Sequence, residues 1–307
     1  METTVEEKDP FSFEIQLNTE EELREFHRYN DGDEVQRPDV IDDCCLDLLL
    51  MARIDRIVHG SENIDGSPAT LVVFGFRFHG INEMRRFKQA IITITFQDEQ
   101  KRYGADPEVI AMWPNGDFTL GEPTSVAVEQ TTGREIGGEV KGGQVVEGAA
   151  HVTRSWQRKM SFTKTDRSTL TGSIILDTNI RKSGKSNAVR MTISENTTTR
   201  SGIVTDFRAA VLLRRKNDVD HFLATVKIKA KANFLYNAIK GLRDISGLSP
   251  GNDPVKFVPG QQYLRQATLA GFLEAKLMED IDENNLNAAR LDGLAGVLGT
   301  TVISTSI

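Results

Sequence analysis

Alternation of apolar and polar residues dominates the middle of the chain. From Phe222 to Ala230 every second residue is apolar, and Lys227, Lys229 and Lys231 occupy positions between or beside them. This period of two predicts a β-strand with one buried side and one basic, solvent-facing side. Similar alternation or short apolar runs predict further strands over residues 70–79, 90–96, 108–113, 170–176, 189–193 and 208–214.

Turn signals separate these runs at short intervals, and little helical periodicity lies between them. The clearest is Pro114-Asn115-Gly116-Asp117, in which each residue type favours a tight turn. The sequence therefore predicts a mainly β protein, an antiparallel β-sandwich with short N-terminal and C-terminal helical segments. The pattern over residues 41–59 does not separate helix from strand.

The predicted helices lie toward the ends of the chain. Thr19 and Glu22 have the spacing of a capping box, and apolar residues at helical spacing recur over 235–242, 269–281 and 286–298. We expect a disordered tail over 1–12, a sandwich body with its N-terminal helix over 13–248, and a connector with C-terminal helices packing on the body over 249–307. Six glycines between Gly133 and Gly148 predict a long, mobile hairpin or loop within the body.

Composition narrows the function classes. The chain has 307 residues, 39% of them hydrophobic, and a formal net charge of −7. A net negative charge argues against a general nucleic-acid-binding protein. The acidic N-terminus does not resemble a secretory signal, and no apolar run has the length of a membrane-spanning helix. These features predict a cytoplasmic protein.

Each candidate motif for catalysis, cofactor binding or metal binding lacks residues that the chemistry requires. Ser183-Gly184-Lys185-Ser186 resembles the end of a phosphate-binding loop, but the first glycine position holds Asn179 and the following residues alternate as a strand. The adjacent Cys44 and Cys45 are expected to be reduced and free of metal. The five histidines show no metal-ligand spacing. We therefore assign no catalytic, cofactor-binding or metal-binding residue and expect no cofactor.

Basic residues form the one candidate interaction surface that the sequence offers. Such a cluster fits an acidic partner or lipid headgroups, and it also fits an ordinary solvated strand face. The candidate residues are Arg214, Arg215, Lys216, Lys227, Lys229 and Lys231.

A set of short matches runs through residues 50–232. They include Ile57-Val58-His59-Gly60, Thr171-Gly172-Ser173-Ile174 and Thr225-Val226-Lys227-Ile228-Lys229, together with Trp156. In these residues the chain resembles a group of uncharacterised fungal proteins of about this length. The resemblance implies a fungal origin and carries no activity, fold or site residues with it.

Three functions remain open at this point. The first is a non-catalytic binding or assembly protein of unknown ligand, acting on a protein or small-molecule partner, with homo-oligomerisation left open. The second is a membrane-active, pore-forming protein, suggested by the glycine-rich stretch and the polarity that alternates after it. Charges such as Glu129, Arg134 and Lys141 interrupt the apolar positions of that stretch, and charges are unfavourable in lipid, so the first function is favoured. The third is an enzyme whose site assembles only in three dimensions.

Overall fold

Two antiparallel sheets pack face to face in the computed structural model, which describes residues 30–45, 48–80, 85–135, 155–232, 252–263, 281–297 and 302–304. The predicted mainly β sandwich is confirmed. The strands are β1 Asp39–Cys45, β2 Leu48–Ser61, β3 Pro68–His79, β4 Gln89–Asp98, β5 Glu108–Trp113, β6 Gly116–Glu135, β7 Ser155–Ile175, β8 Ala188–Ser194, β9 Asp206–Arg214, β10 Phe222–Lys231, β11 Val255–Phe257, β12 Gly296–Val297 and β13 Val302–Ser304.

The first sheet, sheet A, has the order β1-β2-β3-β9-β12, and β5 also pairs with β9. The second, sheet B, has the order β11-β10-β4-β8-β7-β6-β13. Residues 41–45 and 48–59, whose sequence pattern does not separate helix from strand, lie in β1 and β2, an antiparallel pair in which Cys44 pairs with Leu49.

The core between the sheets is built from alternate residues of each strand. Phe74 and Phe76 of sheet A and Phe96 and Phe222 of sheet B are almost fully buried, and the rings of Phe74 and Phe96 meet at 6.3 Å across the interface. Phe222, Ala224 and Val226 of β10 are buried, as the alternation predicts, whereas Ile228 and Ala230 toward the end of that strand are only partly covered. The alternation of the strands therefore determines which face meets the core.

The outer face of sheet A is covered by the C-terminal segment. A 3₁₀ turn at Leu286–Ala288 and the short helix α1 at Leu291–Leu294 place Leu286 and Leu294 against Leu71 and Leu212 of the sheet. The continuous helix expected over 286–298 is thus much shorter, because the backbone becomes extended at Ala289 and again at Ala295 and the segment then pairs β12 with β9. The helices expected from Thr19, over 235–242 and over 269–281 lie outside the described residues.

Strands β6 and β7 are the longest in the protein, with 20 and 21 residues. They pair from Gly116 with Gly172 to Glu135 with Ser155. Between Leu120 and Thr124 the register shifts, because four residues of β6 pass two residues of β7. Gly121 has φ of +69° at this bulge, a conformation that glycine adopts without steric strain.

Candidate functional site

The β6–β7 ribbon is the first feature with functional meaning; we define it as residues 124–135 of β6 with 155–166 of β7. Its twelve register pairs make it roughly 40 Å long. In the described part of the chain, β13 pairs with β6 only up to Leu120 and β8 pairs with β7 only from Thr169. Beyond those points both edges of the ribbon lack a neighbouring strand among the described residues.

The register distributes the ribbon residues between two faces. Alternate residues of a strand share a face, and the even-numbered positions of β6 and β7 continue the core-facing rows of Leu120 and Leu170. The even face carries the ribbon's larger apolar residues but also three cations. Those apolar residues are Val126, Val128, Trp156, Met160 and Phe162, and the cations are Arg134, Arg158 and Lys164.

The opposite, odd face of the ribbon is small and polar. It carries residues such as Ala127 paired with Thr163, Glu129 paired with Ser161, and Thr131 paired with Lys159. The ribbon is therefore amphipathic, a property that the sequence alone did not reveal because the cross-strand register was unknown. Gly133, the first residue of the predicted glycine-rich loop, lies in β6 near the far end of the ribbon. Residues 136–148 of that loop lie outside the described residues.

A polar clasp from the β8–β9 loop holds the base of the ribbon. The buried Asn196 donates from Nδ2 to Thr124 Oγ1 at 3.0 Å and to the Asp166 carbonyl at 3.1 Å, so it joins both strands. The Asp166 carboxylate accepts hydrogen bonds from the Thr197 hydroxyl and from Thr198 N at 2.9 Å. The Thr197 hydroxyl in particular lowers the pKa of Asp166. These bonds fix the point from which the ribbon leaves the sandwich.

The outer face of sheet B is the second feature, and it contains half of the predicted basic surface. Lys227, Lys229 and Lys231 are all exposed, as expected, and occupy successive outward positions of β10 about 7 Å apart. In the same cross-strand row as Lys227 lie Thr93 of β4 and the exposed Arg190 of β8. We call Lys227, Lys229, Lys231 and Arg190 the basic face.

The other three predicted residues lie elsewhere. Arg214 belongs to sheet A and forms ion pairs with Glu62 at 2.6 Å and Glu108 at 3.2 Å. Arg215 is buried: its guanidinium donates to the Ala69 carbonyl and to the Asp218 carboxylate, so it braces a loop and leaves no free surface. Lys216 is exposed in that loop. The fold therefore separates residues that the sequence placed in one cluster.

Two buried polar groups in the body have structural roles. His59 Nδ1 meets the Thr70 hydroxyl at 2.9 Å and Nε2 meets Gln36 Oε1 at 2.7 Å, while burial lowers the pKa of His59 to about 4. Asp55, whose side chain is fully buried, joins Arg53 at 2.9 Å and Arg208 at 2.8 Å.

The turn that imitated a phosphate-binding loop has no helix after it. Ser183, Gly184 and Lys185 are exposed, Lys185 Nζ meets Glu108 Oε2 at 2.7 Å, and the next element is strand β8. A phosphate cradle needs a helix N-terminus, so the interpretation of this segment as an exposed basic turn is confirmed. Among the described residues no group of three His, Cys, Asp or Glu side chains has the arrangement to hold a metal ion. In the same residues, no helix is both long and apolar enough to cross a membrane.

The described structure defines a class, a two-sheet antiparallel β protein from which one long amphipathic ribbon extends. No protein-family model matches the sequence, and no curated protein matches it either. Among solved structures, the chain is similar to the Clostridium perfringens NetB toxin in its membrane-inserted form. The TM-score is 0.21 at 8% identity, over 75% of this chain and 93% of the toxin chain. A TM-score this low does not define a shared fold.

Proposed function

We propose that this chain is a non-catalytic assembly protein whose copies associate through the edges of the β6–β7 ribbon. The observation that carries the proposal is the ribbon's pair of strand edges, which no described strand covers over twelve rows. An isolated two-stranded hairpin is marginally stable in water. Unpaired N–H and C=O groups along a strand are templates for another strand.

Ribbon association would stabilise the two-stranded hairpin and would give a partner to the strand edges that no described strand covers. When β6 of one copy pairs with β7 of the next, the backbone groups of both strands gain partners. Such a contact is heterologous, so repetition of it produces a ring or an open array. The register also makes the apolar residues Val128 and Phe162 cross-strand partners, and burial of apolar surface favours association.

Removal of the ribbon tests this function. Ser125 and Thr165 are register partners, whose Cα atoms are about 5 Å apart in such pairs. Replacement of residues 126–164 by Asn-Gly, the dipeptide that closes tight hairpins, leaves the described sandwich intact. Light scattering after size exclusion, from nanomolar to high-micromolar protein and with or without vesicles, then compares the two chains.

We expect concentration-dependent oligomers of the full chain and a monomer of the ribbonless variant under all conditions. Ser183→Ala, in the exposed β7–β8 turn, is the control and should assemble as the full chain does. A full chain that stays monomeric throughout, or a ribbonless variant that assembles equally well, would contradict the proposal.

Membrane insertion of the assembled ribbons is the second candidate function. The observation in its favour is that the larger apolar residues of the ribbon share one face, and a membrane-spanning strand needs about ten residues with an apolar side toward lipid. Against it, Arg134, Arg158 and Lys164 share that face, and a charge at the middle of a bilayer is unfavourable by about 2–4 kcal/mol. This balance places solution assembly first.

A matched pair of substitutions on neighbouring residues separates the two candidates. Val128→Lys changes the even face, and Ala127→Lys adds the same charge to the odd face of the same strand. If the ribbon inserts, dye release from liposomes is lost in Val128→Lys and retained in Ala127→Lys. Absence of dye release by the full chain at neutral and acidic pH would eliminate the insertion candidate and leave assembly as the function.

A further inference from the structure

We infer that the basic face of sheet B docks the protein on a bilayer that contains anionic lipids. The inference goes beyond the proposed assembly function and rests on different residues, since the basic face lies on β10 and β8 and the ribbon on β6 and β7. The observations that carry it are the charges, their partners and the side chains that surround them.

The four cations are uncompensated within the described structure. Lys227, Lys229, Lys231 and Arg190 have no ion pair or hydrogen-bond partner there, whereas the half-buried Arg86, Arg181 and Arg214 form ion pairs. On the three rows that contain the lysines, the acidic residue among the described ones is Asp117, at the far side on β6, where it accepts a hydrogen bond from the Thr171 hydroxyl at 2.7 Å. Asp177 lies beside the next row, where its carboxylate accepts a hydrogen bond from the Thr95 hydroxyl at 3.1 Å. A local positive field therefore stands on a chain whose net charge is −7.

The geometry of the basic face is that of a flat array. The three lysines are about 7 Å apart along β10, and Arg190 lies two strands away from Lys227, a distance of about 10 Å. Hydroxyl side chains on the adjoining strands fill the space between and beside them. They are Thr93, Thr169, Thr171, Ser173, Thr192 and Ser194.

The side chains of this face favour lipid headgroups over the other polyanions. A stable protein interface needs large apolar anchors at its centre, and the apolar member of these rows is the half-buried Ile91. Single-stranded nucleic acids are held by aromatic stacking as well as charge, and the described residues on the rows of this face include no aromatic one. An anionic membrane requires only several cations near one plane, each of which contributes independently.

The cytoplasmic leaflet of a cell membrane is the one enriched in anionic lipids. Each cation near such a surface strengthens binding by about fivefold, so the four together contribute several hundredfold. That increment is screened by salt, because it acts between exposed charges.

Co-sedimentation with vesicles tests the inference on the full chain. The vesicles are phosphatidylcholine alone or phosphatidylcholine with phosphatidylserine, at low and at high salt. The face variant carries Lys227→Gln, Lys229→Gln and Lys231→Gln. The control carries Lys101→Gln, Lys182→Gln and Lys216→Gln, which remove the same charge from exposed loops elsewhere.

We expect binding to the phosphatidylserine vesicles alone, weakened by salt, reduced about a hundredfold in the face variant and unchanged in the control. Arg190→Gln is measured separately. Alternating lysines also protect an unpaired strand edge from aggregation, and β11 pairs only with Phe222–Ala224 of β10, whereas Arg190 lies on β8, two strands farther into the sheet. A loss of about fivefold in Arg190→Gln therefore supports a binding face.

Three results would overturn the inference. One is equal binding of full chain, face variant and control, which would make net charge the cause. Another is an unchanged affinity in Arg190→Gln. The third is tight binding to duplex DNA at a salt concentration where the phosphatidylserine vesicles are not bound. The ribbonless variant described above should bind vesicles through this face with the monomer's affinity, so failure of assembly and failure of docking are distinguishable.

Discussion

Asn196 donates a hydrogen bond to the backbone carbonyl of Asp166, and this contact connects the β8–β9 loop to the base of the β6–β7 ribbon. The same amide group reaches Thr124 on the other strand, while Asn196 Oδ1 accepts from Thr198 N at 3.0 Å. One buried side chain thus sets the position of both strands and of the loop that holds them.

Asn196→Ala should therefore loosen the ribbon base. The substitution leaves the Asp166 carbonyl and the Thr198 amide without this partner in a part-buried position, and such losses destabilise by about 1–3 kcal/mol. Urea unfolding measures the free energy, and hydrogen exchange should show faster exchange near residues 124 and 166. Asn179→Ala, in an exposed turn, is the control. Equal losses of stability in the two variants would show that the hydrogen bonds of Asn196 do not hold the ribbon base.

The stability of the body should fall as the pH is lowered from about 6.5 to 4. His59 is uncharged in the fold because burial lowers its pKa to about 4, with Arg215 acting in the same direction. In the unfolded chain it takes up a proton near pH 6.5. Between these values the unfolded state binds more protons, so stability rises with pH and is lost on acidification. The loss from this residue amounts to about 3 kcal/mol at most.

His59→Gln should flatten that part of the stability profile, because glutamine does not titrate. The measurement is the free energy of unfolding at several pH values between 4 and 7, beside an NMR titration of the histidine. His79, exposed at the end of β3, provides the matched control His79→Gln. A titration of His59 near its ordinary value would refute the prediction.

The buried carboxylate of Asp55 should be essential to sheet A. It bridges Arg53 and Arg208, and Gly75 leaves the room for this cluster, since a Cβ there would stand 2.6 Å from Asp55 Oδ2. Removal of one member of a buried ion pair leaves uncompensated charge and destabilises by about 3–5 kcal/mol. Asp55→Asn keeps the shape and removes the charge.

Thermal and urea unfolding of Asp55→Asn measure that change. Asp292→Asn is the counterpart, because Asp292 pairs with Arg290 on the surface at 3.1 Å and surface pairs contribute about 0–1 kcal/mol. If the two variants lost the same free energy of unfolding, the Asp55 cluster would contribute no more to stability than a surface ion pair does.

Gly60→Ala should detach the C-terminal segment from sheet A. A Cβ at Gly60 would lie 2.0 Å from the carbonyl oxygen of Glu283, which also accepts a hydrogen bond from Ser61 N at 2.7 Å. The backbone at Gly60 and the backbone at Glu283 cannot move apart to make room for the Cβ without breaking this hydrogen bond. We expect faster proteolysis within residues 281–297 and lower stability.

Gly293→Ala provides the comparison for that experiment, because the nearest heavy atom to a Cβ there is 3.8 Å away and alanine favours helix. Its stability should be unchanged or slightly higher. Equal protease resistance of Gly60→Ala and the unaltered chain would contradict the docking of this segment.

The sequence predicted the strands and their buried faces because each strand signals itself locally. The alternation from Phe222 onward gave the exposed lysines, and the run over 108–113 coincides with β5. The strands over residues 41–59 could not be assigned for two reasons. The apolar residues Leu49 and Met51 occupy half-buried positions of β2, so the sequence there does not alternate although the burial does. The register shift between Ile54 and Arg56 then interrupts the period of two.

The candidate surfaces depend on which strands pair and in which register, and local sequence patterns do not contain that information. Arg190 joins Lys227 only through the row that crosses β4, and Arg215 leaves the cluster because it turns inward to Ala69 and Asp218. The two faces of the ribbon follow from a register that pairs residues twenty or more positions apart in the sequence. Alternating polarity with unusual strand length was the available signal for it.

The bulge between Leu120 and Thr124 limits how the length of this region can vary. Its two surplus residues are an even number, so the strand resumes with the same side toward the sandwich. Insertion or deletion of one residue here would move every β6 residue beyond the bulge from one face of the ribbon to the other. Relatives that keep the amphipathic ribbon should accordingly differ at this place by zero, two or four residues, and directed evolution of the region should recover the same rule.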